Sequence, residues 1–175
     1  MALRRYRAPC LPDDPTLMAH RTLPYVLSEL QPLRQRGYLT TYENGALTMG
    51  PLTIVGTGNT PLDGIKSLAR RDVFYDAPLT ELAVGTSGTT WNVSLSPVAS
   101  TDYAVVGWDG FSPITQQQQS TIGTLVQNAN KLGLRARFWG APGWPIEARN
   151  NIWKTLLASG QIWLNADDLE AASQY

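Results

Sequence analysis

One unit is written twice in the last third of this chain: an amphipathic helix, a glycine, a short strand and a polar loop. In the first copy Ser112-Pro113 opens a helix whose apolar face is Ile122, Leu125, Val126 and Ala129, and Gly133 closes it. Leu134-Arg135-Ala136-Arg137-Phe138-Trp139 follows as a strand. Residues from Gly140 to Pro145 then turn the chain into a second helix that runs to Ser159, with Ile152, Trp153, Leu156 and Leu157 expected inward. Gly160 ends that helix, and Gln161-Ile162-Trp163-Leu164-Asn165 is the next strand. Two strands separated by a helix that must return the chain to the same edge are parallel neighbours, so the fold class is α/β with a parallel sheet.

The same grammar extends upstream. Leu23, Val26, Leu27, Leu30 and Leu33 recur at helical spacing from Thr22, with Pro24 in the first turn, Pro32 bending or shortening the end and Gly37 closing it. The period then changes: Tyr38 to Tyr42 and Ala46 to Met49 flank Glu43-Asn44-Gly45, and Asn-Gly between β-prone runs predicts a hairpin. Leu52 to Gly56 reads as a buried strand, Pro61 to Ala69 as a short helix, and Val73 to Asp76 as another strand. Ala77 to Ser112 reads mostly as loop, with Tyr103 to Val106 as a short strand. Asp167 or Asp168 starts a short terminal helix. Residues 1–21 are rich in Pro and Arg without periodicity and are expected to form an irregular leader, leaving 22–175 as the folded unit.

Length and charge limit the function. At 175 residues the chain can bury a core but falls short of the roughly 250 residues of a complete eight-stranded α/β barrel. Fourteen bases balance fourteen acids, so nothing argues for nucleic acid as a partner. The small basic clusters Arg4-Arg5-Tyr6-Arg7, Arg34-Gln35-Arg36 and Arg70-Arg71 read as solvated surface. No apolar run is long enough for a membrane span, and the sequence assigns no compartment. Cys10 is the sole cysteine and His20 the sole histidine, so an intrachain disulfide, a paired-histidine acid/base system and a multi-histidine metal site are excluded from these residues.

Chemistry in a parallel α/β fold gathers at the carboxyl ends of strands. Here those ends carry Thr57-Gly58-Asn59, Asp76, Trp139 and Asn165 to Asp168. Arg137 constrains more, because alternation sets Arg135, Arg137 and Trp139 on one strand face and Leu134, Ala136 and Phe138 on the other. A buried arginine needs an anion: either Asp76 or Asp167 within the sheet, or a phosphate-bearing ligand. Thr57-Gly58-Asn59 matches no complete phosphate-loop pattern, and Asp167-Asp168 reads as helix capping or as a metal pair. Trp153 and Trp163 read as core.

With those residues in hand, the chain resembles the C-terminal half of the fungal altered-inheritance-of-mitochondria protein six family. That family lies within the phospholipase-C-like phosphodiesterase superfamily, which includes the glycerophosphodiester phosphodiesterases. The resemblance rests on Leu23-Pro24-Tyr25-Val26-Leu27, Val55-Gly56-Thr57-Gly58-Asn59-Thr60-Pro61 and Arg71-Asp72-Val73-Phe74-Tyr75-Asp76-Ala77-Pro78-Leu79. It continues in Ser96-Pro97-Val98-Ala99-Ser100, Arg137-Phe138-Trp139, Gly143-Trp144-Pro145, Arg149-Asn150 and Leu164-Asn165-Ala166-Asp167-Asp168-Leu169, and covers about residues 22–172. It implies a partial TIM-type barrel, about the last four β/α units with an inserted β-hairpin. It also implies a phosphoric diester hydrolase lineage acting on lipid-related glycerophosphodiesters with a divalent metal, magnesium or calcium. The family's catalytic histidines and metal-binding carboxylates have no counterpart in these residues. Asn128-Ala129-Asn130 stands where a histidine is common, and Gly140 where an acid is common.

The expectation is therefore a truncated member, inactive alone and without a cofactor of its own, or else a non-catalytic module binding a phosphate ligand. The substrate-binding wall implied for a phosphodiester is Asn59, Asp76, Arg137, Trp139 and Asn165. Open barrel edges predict self-association.

Overall fold

The computed structural model describes residues 23–82, 88–110 and 112–175. The expected leader, with Cys10 and His20, lies outside them. Residues 23–29 form helix α1, and α2 follows at Gln31–Gln35. One helix was expected here; the chain breaks at Leu30 because Pro32, in the first turn of α2, has no N–H to continue an earlier ladder. Gly37, at φ 68°, ends the segment as anticipated.

β1 (Thr41–Glu43) and β2 (Ala46–Thr48) make the expected hairpin, with Asn44 and Gly45 both at positive φ as its tight turn demands. β1 pairs on its other side with β4 (Arg70–Arg71), giving a small antiparallel sheet ordered β2-β1-β4. The basic clusters at 34–36 and 70–71 are not simply solvated surface. Arg34 grips both oxygens of the fully buried Asp72, Arg70 faces Glu43 at 3.5 Å, and Arg71 lies over the Tyr42 ring while donating to Ser94 O at 2.8 Å. These long-range partners fasten the hairpin and the α1–α2 segment to the strand that follows.

The main sheet is parallel throughout. Its strands are β3 (Val55–Gly56), β5 (Phe74–Pro78), β6 (Val98–Asp102), β7 (Arg135–Trp139) and β8 (Ile162–Trp163), ordered β3-β5-β6-β7-β8. A parallel bridge between Leu39 and Leu52 carries the sheet one step beyond β3. Each new strand is added to the same edge. There are five parallel strands rather than four, because the segment read as loop contains β6. Residues 103–106, expected as a strand, are instead a 3-10 turn. β6 escapes a periodicity reading because Val98-Ala99-Ser100-Thr101-Asp102 is short and half polar. Ser96 ties it in: its buried Oγ lies 2.6 Å from Tyr75 O and 2.5 Å from Val98 O, and accepts the Ala77 N–H at 3.2 Å.

Helices α3 (Leu62–Lys66), α4 (Gln116–Lys131) and α5 (Ile146–Ala158) accompany these strands, and α6 (Leu169–Ala172) ends the chain. α4 starts three residues later than Pro113 suggests, since Thr115 and Gln118 close a reciprocal capping box. Its end is a Schellman motif: Gly133 N–H bonds Asn130 O, Leu134 N–H bonds Ala129 O, and Gly133 takes φ 77°.

Ile65, Ala77, Ala99, Ile122, Val126, Ala136, Phe138, Ile152 and Leu156 belong to one continuous core between these helices and one sheet face. At 25–30 cal/mol per Å² such burial is the main stabilising term. Trp153 lies in this core as expected, whereas Trp163 and Leu157 are each 40% exposed. Both lose their expected burial because no described element covers the side they face.

Candidate functional site

The uncovered sheet face is where the polar side chains collect. Register aligns Asp76 with Val98 and Arg135, and Ser100 with Arg137 and Trp163. Alternation therefore sets Asp76, Ser100, Arg137 and Trp139 on one face, opposite the helix-covered Ala77, Ala99 and Phe138. Phe74 and Val98 share the polar face toward its amino end and are buried. On this face Arg135, at the start of β7, is exposed and Arg137 is partly buried.

Arg137 Nη2 donates to Asn165 Oδ1 at 2.6 Å, bringing together β7 and the loop after β8. Arg137 Nη1 lies 4.0 Å from Asp76 Oδ2. The anion expected for Arg137 within the sheet is thus Asp76, at the outer limit of an ion pair; among the described residues Asp167 forms none. Burial raises the Asp76 pKa above the ordinary carboxylate range, opposed by hydrogen bonding from Ser100 and by the Arg137 charge. Neither Asp76 Oδ1 nor Ser100 Oγ has a hydrogen-bond partner in full geometry, and both are buried. Buried oxygens without a well-formed partner beside a guanidinium gain by adding a polar ligand.

Of the five expected wall residues, the structure joins Asp76, Arg137 and Asn165. Trp139 stands at the carboxyl end of β7 on the Arg137 face, 44% exposed. Asn59 is exposed in the turn after β3, which Thr60 closes through Thr57 O, and no hydrogen bond or ion pair ties it to the other four among the described residues. Ser100 was missed. Its only signal is that a residue two after Val98 shares the face of Asp76, and that becomes visible once β6 is known.

Asp168 is a structural residue rather than half of a metal pair. Its Oδ1 caps α6 by accepting Ala171 N–H at 3.0 Å, and its Oδ2 pairs with Arg149 Nη1 at 2.7 Å. The cap and Arg149 hold its pKa below the usual carboxylate value. Among the described residues no three of His, Cys, Asp and Glu gather to hold a metal ion. Of the two carboxylates on this face among the described residues, Asp76 faces a guanidinium and Asp102, opposite Trp139, accepts the Ala104 N–H at 2.9 Å. These residues therefore do not fit the divalent metal that the family resemblance implies.

Comparison with known proteins identifies the family this chain is similar to. Residues 14–76 match the AIM6-like phosphodiesterase domain, a match that opens within the segment expected to be a leader and includes His20. The chain is 41% identical to the altered inheritance of mitochondria protein 6 homolog of Arthroderma benhamiae, over 87% of this chain and 48% of that protein. It is 37% identical to altered inheritance of mitochondria protein 6 of Eremothecium gossypii, over 93% of this chain and 45% of that protein. With the Candida glabrata protein of the same name the identity is 29%, over 82% and 39%. The chain thus spans about half the length, or less, of the curated relatives it matches. No solved structure matches it significantly.

Proposed function

Starting from the chain's kinship with the fungal AIM6-like phosphodiesterases, we propose that these residues form the phosphodiester-binding wall of an incomplete TIM-type barrel and do not hydrolyse the ester alone. The observation that carries the reading is Arg137, held by the neutral amide of Asn165 rather than consumed by a close carboxylate. A guanidinium has five N–H donors, and a phosphate can accept two in parallel. Trp139 would flank the ligand and Asn59 would approach from the β3 turn. Glycerophosphodiesters are the substrate class that fits the family kinship.

The chain-order addition of parallel strands supports an arc of a barrel, and the polar face that carries Arg137 supports a ligand face. Hydrolysis would need an acid, a base and a metal-holding carboxylate set, and Asp76 beside Arg137 supplies none of these complete.

The test is hydrolysis of a glycerophosphodiester and of bis-nitrophenyl phosphate by the purified chain, with magnesium or calcium and with chelator. No turnover by folded protein is expected. Chelator-sensitive turnover would overturn the reading. Binding is then followed by titrating a glycerophosphodiester into wild type and Arg137→Ala. A charge-assisted bidentate contact is worth about 2 kcal/mol, so the variant should bind roughly 30-fold more weakly. Equal affinity would remove Arg137 from the site.

A further inference from the structure

The loops that follow β6 and β7 enclose a separate concavity of about 290 Å³, lined by Trp108, Pro113, Ile114, Pro145, Glu147 and Asn151 among its residues. That is close to the lower bound for small-ligand pockets, about 300 Å³. Four of these residues, Trp108, Pro113, Ile114 and Pro145, present apolar rings or branched carbons. Glu147 is its one charged side chain, and no basic residue lines it. Among the described residues the Glu147 side chain takes part in no hydrogen bond or ion pair.

The aromatic wall is set in place by the loop itself. Trp108 Nε1 donates to Ser112 O at 2.7 Å, which fixes the indole against its own loop. Asp109 accepts the Ser112 N–H at 2.9 Å and the Ser112 hydroxyl at 2.6 Å, and Tyr103 meets Trp108 edge-on at 6.4 Å. Glu147 lies in the first turn of α5, where it offsets the positive helix end. That end amounts to about half a charge, so a full carboxylate leaves this flank net negative.

We propose that this pocket binds a small organic cation of the alkylammonium class. The indole face attracts a soft cation, the proline and isoleucine walls cover its alkyl groups, and Glu147 supplies the counter-charge. A hydrated inorganic cation is disfavoured, since it needs several oxygen ligands and the walls are largely carbon. The inference does not rest on the phosphodiester reading. The two sites are tested by different probes.

The experiment titrates the intact chain with tetramethylammonium chloride, following the Trp108 indole N–H by NMR at constant ionic strength, with tert-butanol as the neutral isostere. A saturable shift is expected with the cation and none with the alcohol. Glu147→Gln and Trp108→Leu should each weaken binding about fivefold, the latter followed through the Ala148 amide. Arg137→Ala should leave the affinity unchanged. No saturable shift, an equal response to tert-butanol, or unaltered affinity in Glu147→Gln would overturn the proposal. A positive result alongside failed glycerophosphodiester binding would sink the phosphodiester wall and leave this pocket standing.

Discussion

Asp72, just before β5, and Asp76, within it, carry opposite electrostatic burdens. Asp72 is fully buried and its charge is answered by the bidentate Arg34. Replacing Asp72 with alanine removes one partner and leaves the other partly desolvated; the expected loss is about 3 kcal/mol, read as a lower urea midpoint with unchanged slope. That figure takes the low end for a broken buried pair because Arg34 retains a route to water.

Asp76 is the converse case, with a pKa raised chiefly by burial. A raised carboxylate pKa means the folded state disfavours the charged form. Its penalty is absent below the unfolded pKa and sets in as pH climbs toward the folded one, so this group makes the protein less stable on the neutral side. Arg137→Ala removes a lowering influence, so the Asp76 titration observed by carbon-detected NMR should move further upward. A downward move would show that Arg137 does not act on it.

At the scale of elements, the joints between helix and strand matter more than helix propensity. Asn130, at the end of α4, spans three parts of the chain: its Nδ2 donates to Leu134 O at 3.1 Å and Gln161 O at 2.9 Å, and its Oδ1 accepts Gln161 N–H at 2.9 Å. Asn130 is thus a staple between α4 and the entries to β7 and β8. Asn130→Ala should cost about 1–3 kcal/mol through stranded backbone groups, measured by thermal unfolding. Gly133→Ala tests the neighbouring cap: with φ at 77° a Cβ costs about 1–2 kcal/mol, although its nearest neighbour, Val93 Cβ, would be an ordinary 3.9 Å away. A neutral outcome would mean that the Schellman bonds do not hold this joint. Gly160 is tighter, since a Cβ there would meet Asn130 Oδ1 at 2.7 Å.

The molecule as a whole has one covered sheet face and one face open among the described residues. β8 lies at one edge of the parallel sheet, and the Leu39 bridge lies at the other. Open strand edges beside exposed Trp139 and Trp163 favour pairing with a second copy. Sedimentation velocity across a concentration series should therefore show a species heavier than the monomer that grows with concentration. A single monomeric boundary throughout would remove this expectation.

Local chemistry made much of this architecture readable. Asn44-Gly45 encodes its turn through two positive-φ positions, and the caps at Gly133 and Asp168 act on groups within a few residues. The Leu134, Ala136, Phe138 alternation marks a covered face without knowledge of what covers it. These features are legible because their partners are neighbours in the chain. Tertiary structure decided the rest: that β6 exists, that Arg34 belongs to Asp72, that Ser100 stands beside Asp76, and that Arg137 meets Asn165 more closely than any acid. Those contacts join residues 24 to 38 positions apart, and their selection depends on the register of a parallel sheet, which only the packing of helices against its other face determines.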